Sequence, residues 1–193
     1  AAETTTGKKA GYYGAPRTWM WNPNPNTMID TSKWKKDGPY VIGFSNASIS
    51  NAWRVAFQHG VLWAAGEHRD DISRLLVTDA NDDPSKQIAD IQDLISQGVD
   101  LLLIAAATED ALDSIVGRAT EQGIPVVMVD RKVKTPENYI TYVTASDWAL
   151  GRLEAQWLCE TLGGKGNIVM LPGIAGSSVA EIRIKANEEV FSK

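Results

Sequence analysis

A chain of 193 residues that is 44% hydrophobic and 22% charged has the make-up of a soluble globular protein with a core shared by one or two domains. Its formal net charge of -5 excludes the basic footprint of a nucleic-acid or anionic-membrane binder and suits a neutral or weakly charged partner. One cysteine, Cys159, excludes an intramolecular disulfide and reads as a small buried hydrophobe. The longest apolar run, Val99 to Ala107 broken by Asp100, is too short to span a bilayer.

The chain starts Ala1-Ala2-Glu3, without methionine. That start fits a mature secreted protein whose signal has been removed, and fits a trimmed expression product equally. Residues 1–38 form an extension: the run Asn22-Pro23-Asn24-Pro25-Asn26 and scattered glycines leave no period of 2 or 3.6. Trp19, Trp21 and Trp34 within it are expected to cover part of the body, since large aromatics seek something to bury against.

From Tyr40 onward, short apolar runs alternate with amphipathic stretches. Strands are predicted at Tyr40 to Phe44, Arg74 to Thr78, Asp100 to Ile104, Pro125 to Val129, Ile140 to Thr144 and Asn167 to Leu171. A helix opens at the Asp83-Pro84 cap, carries Ile88, Ile91, Leu94 and Ile95 on one face, and stops at Gly98. The next starts at Thr108, with Glu109 and Asp110 at its positive end and Leu112, Ile115, Val116 and Ala119 as its stripe, and stops at Gly123. A third opens at Ser146 or Asp147, with Leu150, Leu153, Trp157 and Leu158 expected to face inward. Crossovers of helical length between strands predict a doubly wound α/β fold with a parallel sheet.

In such sheets ligands bind beyond the carboxyl ends of the strands. Three segments lie there: the loop from Ser45 through Asn51 to Trp53 and Arg54, the dipeptide Asp130-Arg131, and the turn Gly173 to Ser178 with Arg183 following on a helix. A sugar hydroxyl both donates and accepts, so a carboxylate and a guanidinium can hold it from two sides, as Asp130 and Arg131 could. An indole such as Trp53 covers the apolar face of a sugar ring. Each has a plainer reading: Asp130-Arg131 as a solvated pair, Trp53 as packing, Arg183 as a surface charge, and the two glycines as a simple turn.

The stretches VIGFSNASISNAWRVAF, DANDDPSKQIADIQDLISQGVDLLLI, GIPVVMVDR, TASDWALG and GIAGSSVAEIR, in this order, resemble the type 1 periplasmic sugar-binding proteins of ABC transporters from Val41 to Lys193. The resemblance implies that Asp130, Arg131 and Arg183 contact sugar hydroxyls, with Ser45, Asn51, Trp53 and Arg54 supplying the first loop. That loop is longer than in ribose-type receptors and ends in Trp53-Arg54, more similar to the galactofuranose-binding subgroup. Ala105-Ala106-Ala107 stands where the family usually places a proline, and Ala186 where a glycine is common.

The implied organisation is an extension over 1–38, a first lobe over 39–132 lacking its return segment, and the start of a second lobe over 138–193, with Lys132 to Glu137 near the crossing. The expectation follows that the sequence is incomplete or that its remainder is a separate chain. The implied partners are a small sugar and a membrane permease, with no nucleic acid, no membrane span and no cofactor. The implied location is periplasmic or extracellular, with or without a lipid anchor before processing. The effector-binding core of a LacI-like repressor shares this fold, but the segment before Tyr40 does not read as a helix-turn-helix. An enzyme is not expected: His59 and His68 lack metal-ligand spacing, and no nucleophile-elbow, Walker A or dinucleotide motif occurs.

Overall fold

The computed structural model describes residues 29–192; Trp19 and Trp21 lie outside the described residues. The elements, in chain order, are β1 (Tyr40–Asn46), α1 (Ala52–Glu67), β2 (Ile72–Asp79), α2 (Pro84–Ser96), β3 (Leu101–Ala105), α3 (Glu109–Glu121), β4 (Val126–Val129), β5 (Thr141–Val143), α4 (Asp147–Thr161) and α5 (Ser178–Phe191). The strands form one five-stranded sheet in the order β2-β1-β3-β4-β5, parallel throughout. The fold is the α/β, doubly wound parallel sheet of the sequence reading.

Strand parity decides which helix each residue meets. Gly43, Leu102 and Val126 stand in register, as do Ser45, Ile104 and Met128, on the face covered by α2 and α3. There Leu102, Ile104, Val126 and Met128 pack with Ile91 and Leu94 of α2 and Leu112, Ile115, Val116 and Ala119 of α3. Gly43 admits this approach, because a Cβ there would come within 2.9 Å of Leu102 and 3.3 Å of Leu94. Phe44 and Asn46 point the other way, to α1: the rings of Phe44 and Phe57 meet edge to face at 5.7 Å, and Asn46 Nδ2 donates to Gln58 Oε1 at 3.2 Å.

The caps follow the sequence in one case and depart in the other. Asp83 Oδ1 accepts from the N–H groups of Ser85 and Lys86, with Pro84 in the first turn of α2. Thr108 occupies the N-cap of α3, but its hydroxyl does not cap; the Glu109 N–H donates instead to the carbonyl of Gly176.

The described residues divide into two compact units, one of Asp30–Thr144 with Ile174–Ser178, the other holding Ala145–Gly173 and 179–192. Three expectations are corrected here. Residues 141–143, assigned to the start of a second lobe, form β5 and pair with Val127, Met128 and Val129 in the first sheet, so the division falls after Thr144 rather than at 138. The strand expected over 167–171 does not form: the described residues of the second unit include α4 and α5 but no strand for this backbone to pair with, and Val169 and Leu171 are each 89% exposed. On α4 the buried residues are Asp147, Gly151 and Ala155, whereas Leu150 and Trp157 are exposed and Cys159 is half-buried. Gly151 explains that choice, since a Cβ there would meet the Arg183 carbonyl at 2.7 Å and Ala186 Cβ at 2.9 Å, so α5 crosses α4 over its smallest residues.

Candidate functional site

Beyond the carboxyl ends of β1, β2 and β4 the first unit assembles a charged cluster. Arg54, in the first turn of α1, has a side chain only 2% exposed. Its Nη2 lies 3.1 Å from Asp130 Oδ2, close enough for charge attraction but not aligned for a hydrogen bond, and both Nη atoms are buried without a hydrogen-bond partner. Burial, aggravated by the neighbouring Arg131, pushes the Arg54 guanidinium below its ordinary pKa, and Asp130 and Asp82 oppose the shift. Arg131 reaches two carboxylates: its Nη1 stands 3.6 Å from Asp82 Oδ1 and its Nε 3.9 Å from Asp130 Oδ2. Two cations and two anions therefore share the cluster, and their formal charges cancel.

An aromatic stack flanks it. The Trp53 and Phe57 rings lie nearly parallel, 5.4 Å apart and 10° between planes, and the Arg54 guanidinium sits 5.5 Å from the Trp53 ring and 5.9 Å from that of Phe57. Trp53, the outer ring, is 57% exposed. Phe57 lies between it and the wholly buried Phe44, so the indole stands on a rigid column rooted in the sheet.

Hydrogen-bonding capacity left over in this unit is unusual for buried groups, most of which are paired. Besides Arg54, the buried atoms without a hydrogen-bond partner are Arg131 Nη1, Asp82 Oδ1, Asn46 Oδ1, Thr78 Oγ1 and Thr108 Oγ1. Arg54, Arg131, Asp82 and Asn46 thus offer donors and acceptors side by side. Among the described residues no group of three or more His, Cys, Asp and Glu side chains could hold a metal ion.

Of the residues singled out in the sequence, Trp53, Arg54, Asp130 and Arg131 come together. Ser45 and Asn51 have other work. Ser45 faces α2, where buried Gln87 donates from Nε2 to its Oγ at 3.1 Å and to the Ala105 carbonyl at 2.9 Å, while its Oε1 accepts from the Ala107 N–H. Asn51 is the N-cap of α1, its Oδ1 accepting from the Arg54 N–H at 3.0 Å. Arg183 belongs to the other unit, where its guanidinium pairs with Asp147 Oδ1 at 2.9 Å.

Asp82 and Asn46 join the cluster from outside the residues that the sequence singles out. Asp82 follows β2, so the same rule about strand ends reaches it. Asn46 is one residue beyond Ser45, so parity puts it on the opposite face of β1, which in the structure meets α1. Asn81 and Asp82 both take positive φ (53° and 58°), a conformation Asn and Asp tolerate better than most residues, and Asp82 N–H donates to the Ala47 carbonyl at 2.7 Å. That turn brings the Asp82 carboxylate back to Arg131 and to Ser50 Oγ, which donates to it at 3.3 Å.

A parallel sheet with an aromatic and charged cluster at its carboxyl edge places the chain in the doubly wound α/β class. The chain belongs to the periplasmic binding protein domain family, whose model matches residues 42–193. It is 31% identical over 145 residues to the ribose import binding protein of Bacillus subtilis (strain 168), covering 75% of this chain and 46% of that protein. It is 32% identical over 156 residues to the galactofuranose-binding protein of Escherichia coli (strain K12), covering 79% of this chain and 48% of the relative. Among solved structures, it superposes on the fructose-binding periplasmic domain of a hybrid two-component system with a TM-score of 0.74 at 33% identity, covering 79% of this chain and 50% of that one. The chain spans about half the length of these relatives.

Proposed function

We propose that the protein is the binding component of an ABC importer and takes a neutral monosaccharide or polyol at the cluster of Arg54, Asp82, Asp130 and Arg131. The observation that carries this reading is the buried, unpaired capacity of Arg54, Arg131, Asp82 and Asn46. A polyhydroxyl ligand both donates and accepts, so it satisfies such a set without adding charge to one that already sums to zero. Trp53 covers the apolar face of the ring, held in place by Phe57. Nothing in the arrangement calls for bond making or breaking; its work is to hold a ligand until a permease accepts it. The relatives support the same reading, since those named bind ribose, galactofuranose and fructose. A periplasmic location goes with it, and no helix among the described residues is long and apolar enough to cross a membrane.

The test is a thermal-shift screen against pentoses, hexoses and polyols, with a sugar acid and a sugar phosphate beside them. A ligand at a hundredfold its Kd adds about 2.7 kcal/mol of stability. Neutral sugars are expected to raise the melting temperature and the two anionic ones to leave it unchanged. A panel with no shift at all refutes the reading, and a shift with the anionic compounds alone refutes the neutral-ligand part of it.

A further inference from the structure

We propose that Tyr142 and Thr144, at the end of β5, are positioning residues that fix Asp130 and Arg131 in their working geometry. The proposal rests on the reading of that pair as ligand contacts. Asp130 has φ of 61°, and the Arg131 N–H donates to the Val129 carbonyl at 2.6 Å, closing a three-residue γ-turn of positive φ. This turn is rare and strained for a residue with a Cβ, and persists only where neighbours over-determine it. Glycine would adopt it freely but would bring no carboxylate.

Three bonds from the end of β5 supply that determination. The Tyr142 hydroxyl donates to the Asp130 carbonyl at 2.6 Å, Thr144 Oγ1 donates to the same oxygen at 3.3 Å, and the Asp130 N–H donates to the Val143 carbonyl at 2.9 Å. Both backbone polar groups of Asp130 are thereby tied to one strand. The turn in turn aims two consecutive side chains, the Asp130 carboxylate at Arg54 and the Arg131 guanidinium at Asp82. Relaxing the carbonyl frees the peptide between Asp130 and Arg131 to rotate, and both side chains move with it. Tyr142 reaches the cluster through that carbonyl, and Thr144 is the weaker of the two donors by distance.

Tyr142→Phe removes one hydroxyl and leaves the ring. In the ligand-free protein, the 15Nε resonances of Arg54 and Arg131 are expected to shift or broaden, while the amides of Phe44 and Met128 stay in place. Unmoved arginine resonances overturn the proposal whether or not any sugar binds, so its failure is separable from failure of the binding reading. Calorimetric titrations with D-ribose, L-arabinose and D-fructose supply the second arm. Tyr142→Phe is expected to weaken the tightest of these roughly tenfold, the size of one lost hydrogen bond. Combined with Asp130→Asn, it should add less than in the wild-type background, because only its hold on Arg131 then remains. An equal loss in both backgrounds marks Tyr142 as a general stabiliser and refutes positioning. Thr144→Val, at the strand end, repeats both arms with a smaller expected effect should Tyr142→Phe fold poorly.

Discussion

The two compact units use similar helices to different effect. In the sheet-containing unit the buried hydrophobics include Phe44, Ile91, Leu102, Ile104, Leu112, Met128 and Val133, all fully covered. In the other, the buried hydrophobics among the described residues are Ala155, Ala180 and Ala186, while Trp157 is 60% exposed. Amphipathic helices alone do not make a core; they need a surface wide enough to receive their large side chains, and here that surface is a sheet. The difference extends to the charged groups. Where the sheet supplies a frame, Arg54 is buried against the Asp130 carboxylate; where two helices cross on small residues, Arg183 keeps 42% of its side chain exposed.

The largest test of this contrast is cavity formation. Met128→Ala is expected to cost about 3 kcal/mol in urea unfolding, within the range for truncating a fully buried side chain, whereas Leu171→Ala should stay within about 0.5 kcal/mol. Equal costs would mean that Leu171 is covered in solution. The charged cluster is the next way to sharpen it. Asp130→Ala leaves the Arg54 guanidinium buried beside a more distant carboxylate and is expected to destabilise by about 2–3 kcal/mol while abolishing sugar binding. Arg54→Met fills much the same volume without a charge, so it should lose binding with a smaller loss of stability. If Asp130→Ala leaves both stability and ligand response unchanged, the pair is not the anchor of the site.

Most of the first unit was legible because its signals agree. The Asp83-Pro84 cap, the stripe at Ile88, Ile91, Leu94 and Ile95, and the apolar runs of the first four strands all point to one packing. Legibility failed where pattern and context part. Residues 167–171 carry a strand's composition, but a strand is made by its partner. Leu150 and Trp157 have helical spacing, but Gly151 and Ala155 give α5 a closer approach. At the site, Asp130 and Arg131 could be found from their place after a strand; Asn46 rather than Ser45 could not, since that choice turns on which face of β1 meets α1. The hydroxyl of Tyr142 and the γ-turn it holds leave no mark in the spacing of residues.

A smaller effect concerns the loop that leads from β4 to β5. Burial raises the pKa of the Asp113 carboxyl, but hydrogen bonds from the Thr135 hydroxyl at 2.7 Å and the Thr135 N–H at 2.8 Å, with help from Asn138 and Lys134, outweigh it and hold the group below the ordinary aspartate value of 3.8. A carboxyl depressed in the folded state adds stability that is present above its unfolded pKa and is lost as the pH falls through its folded pKa. Thr135→Val should therefore cost about 1–2 kcal/mol at neutral pH. Measured against wild type, that cost should shrink as the pH is taken below 3.8. A cost independent of pH would show that the hydroxyl acts by packing rather than by holding the charged carboxylate.

The smallest effect is expected in the helical unit, where Asp147 is 5% exposed and its partner Arg183 is 42% exposed. A pair with one member in water gains little, because solvent already stabilises that member and its side chain gives up freedom to hold the bond. A double-mutant cycle with Asp147→Asn and Arg183→Met is expected to give a coupling below about 1 kcal/mol, easily reduced by salt. The cycle also bears on the ligand role that the resemblance gives Arg183. A coupling above about 2 kcal/mol that persists in salt would make the pair a fixed strut between α4 and α5, and Arg183 would then be a poor candidate for a ligand contact.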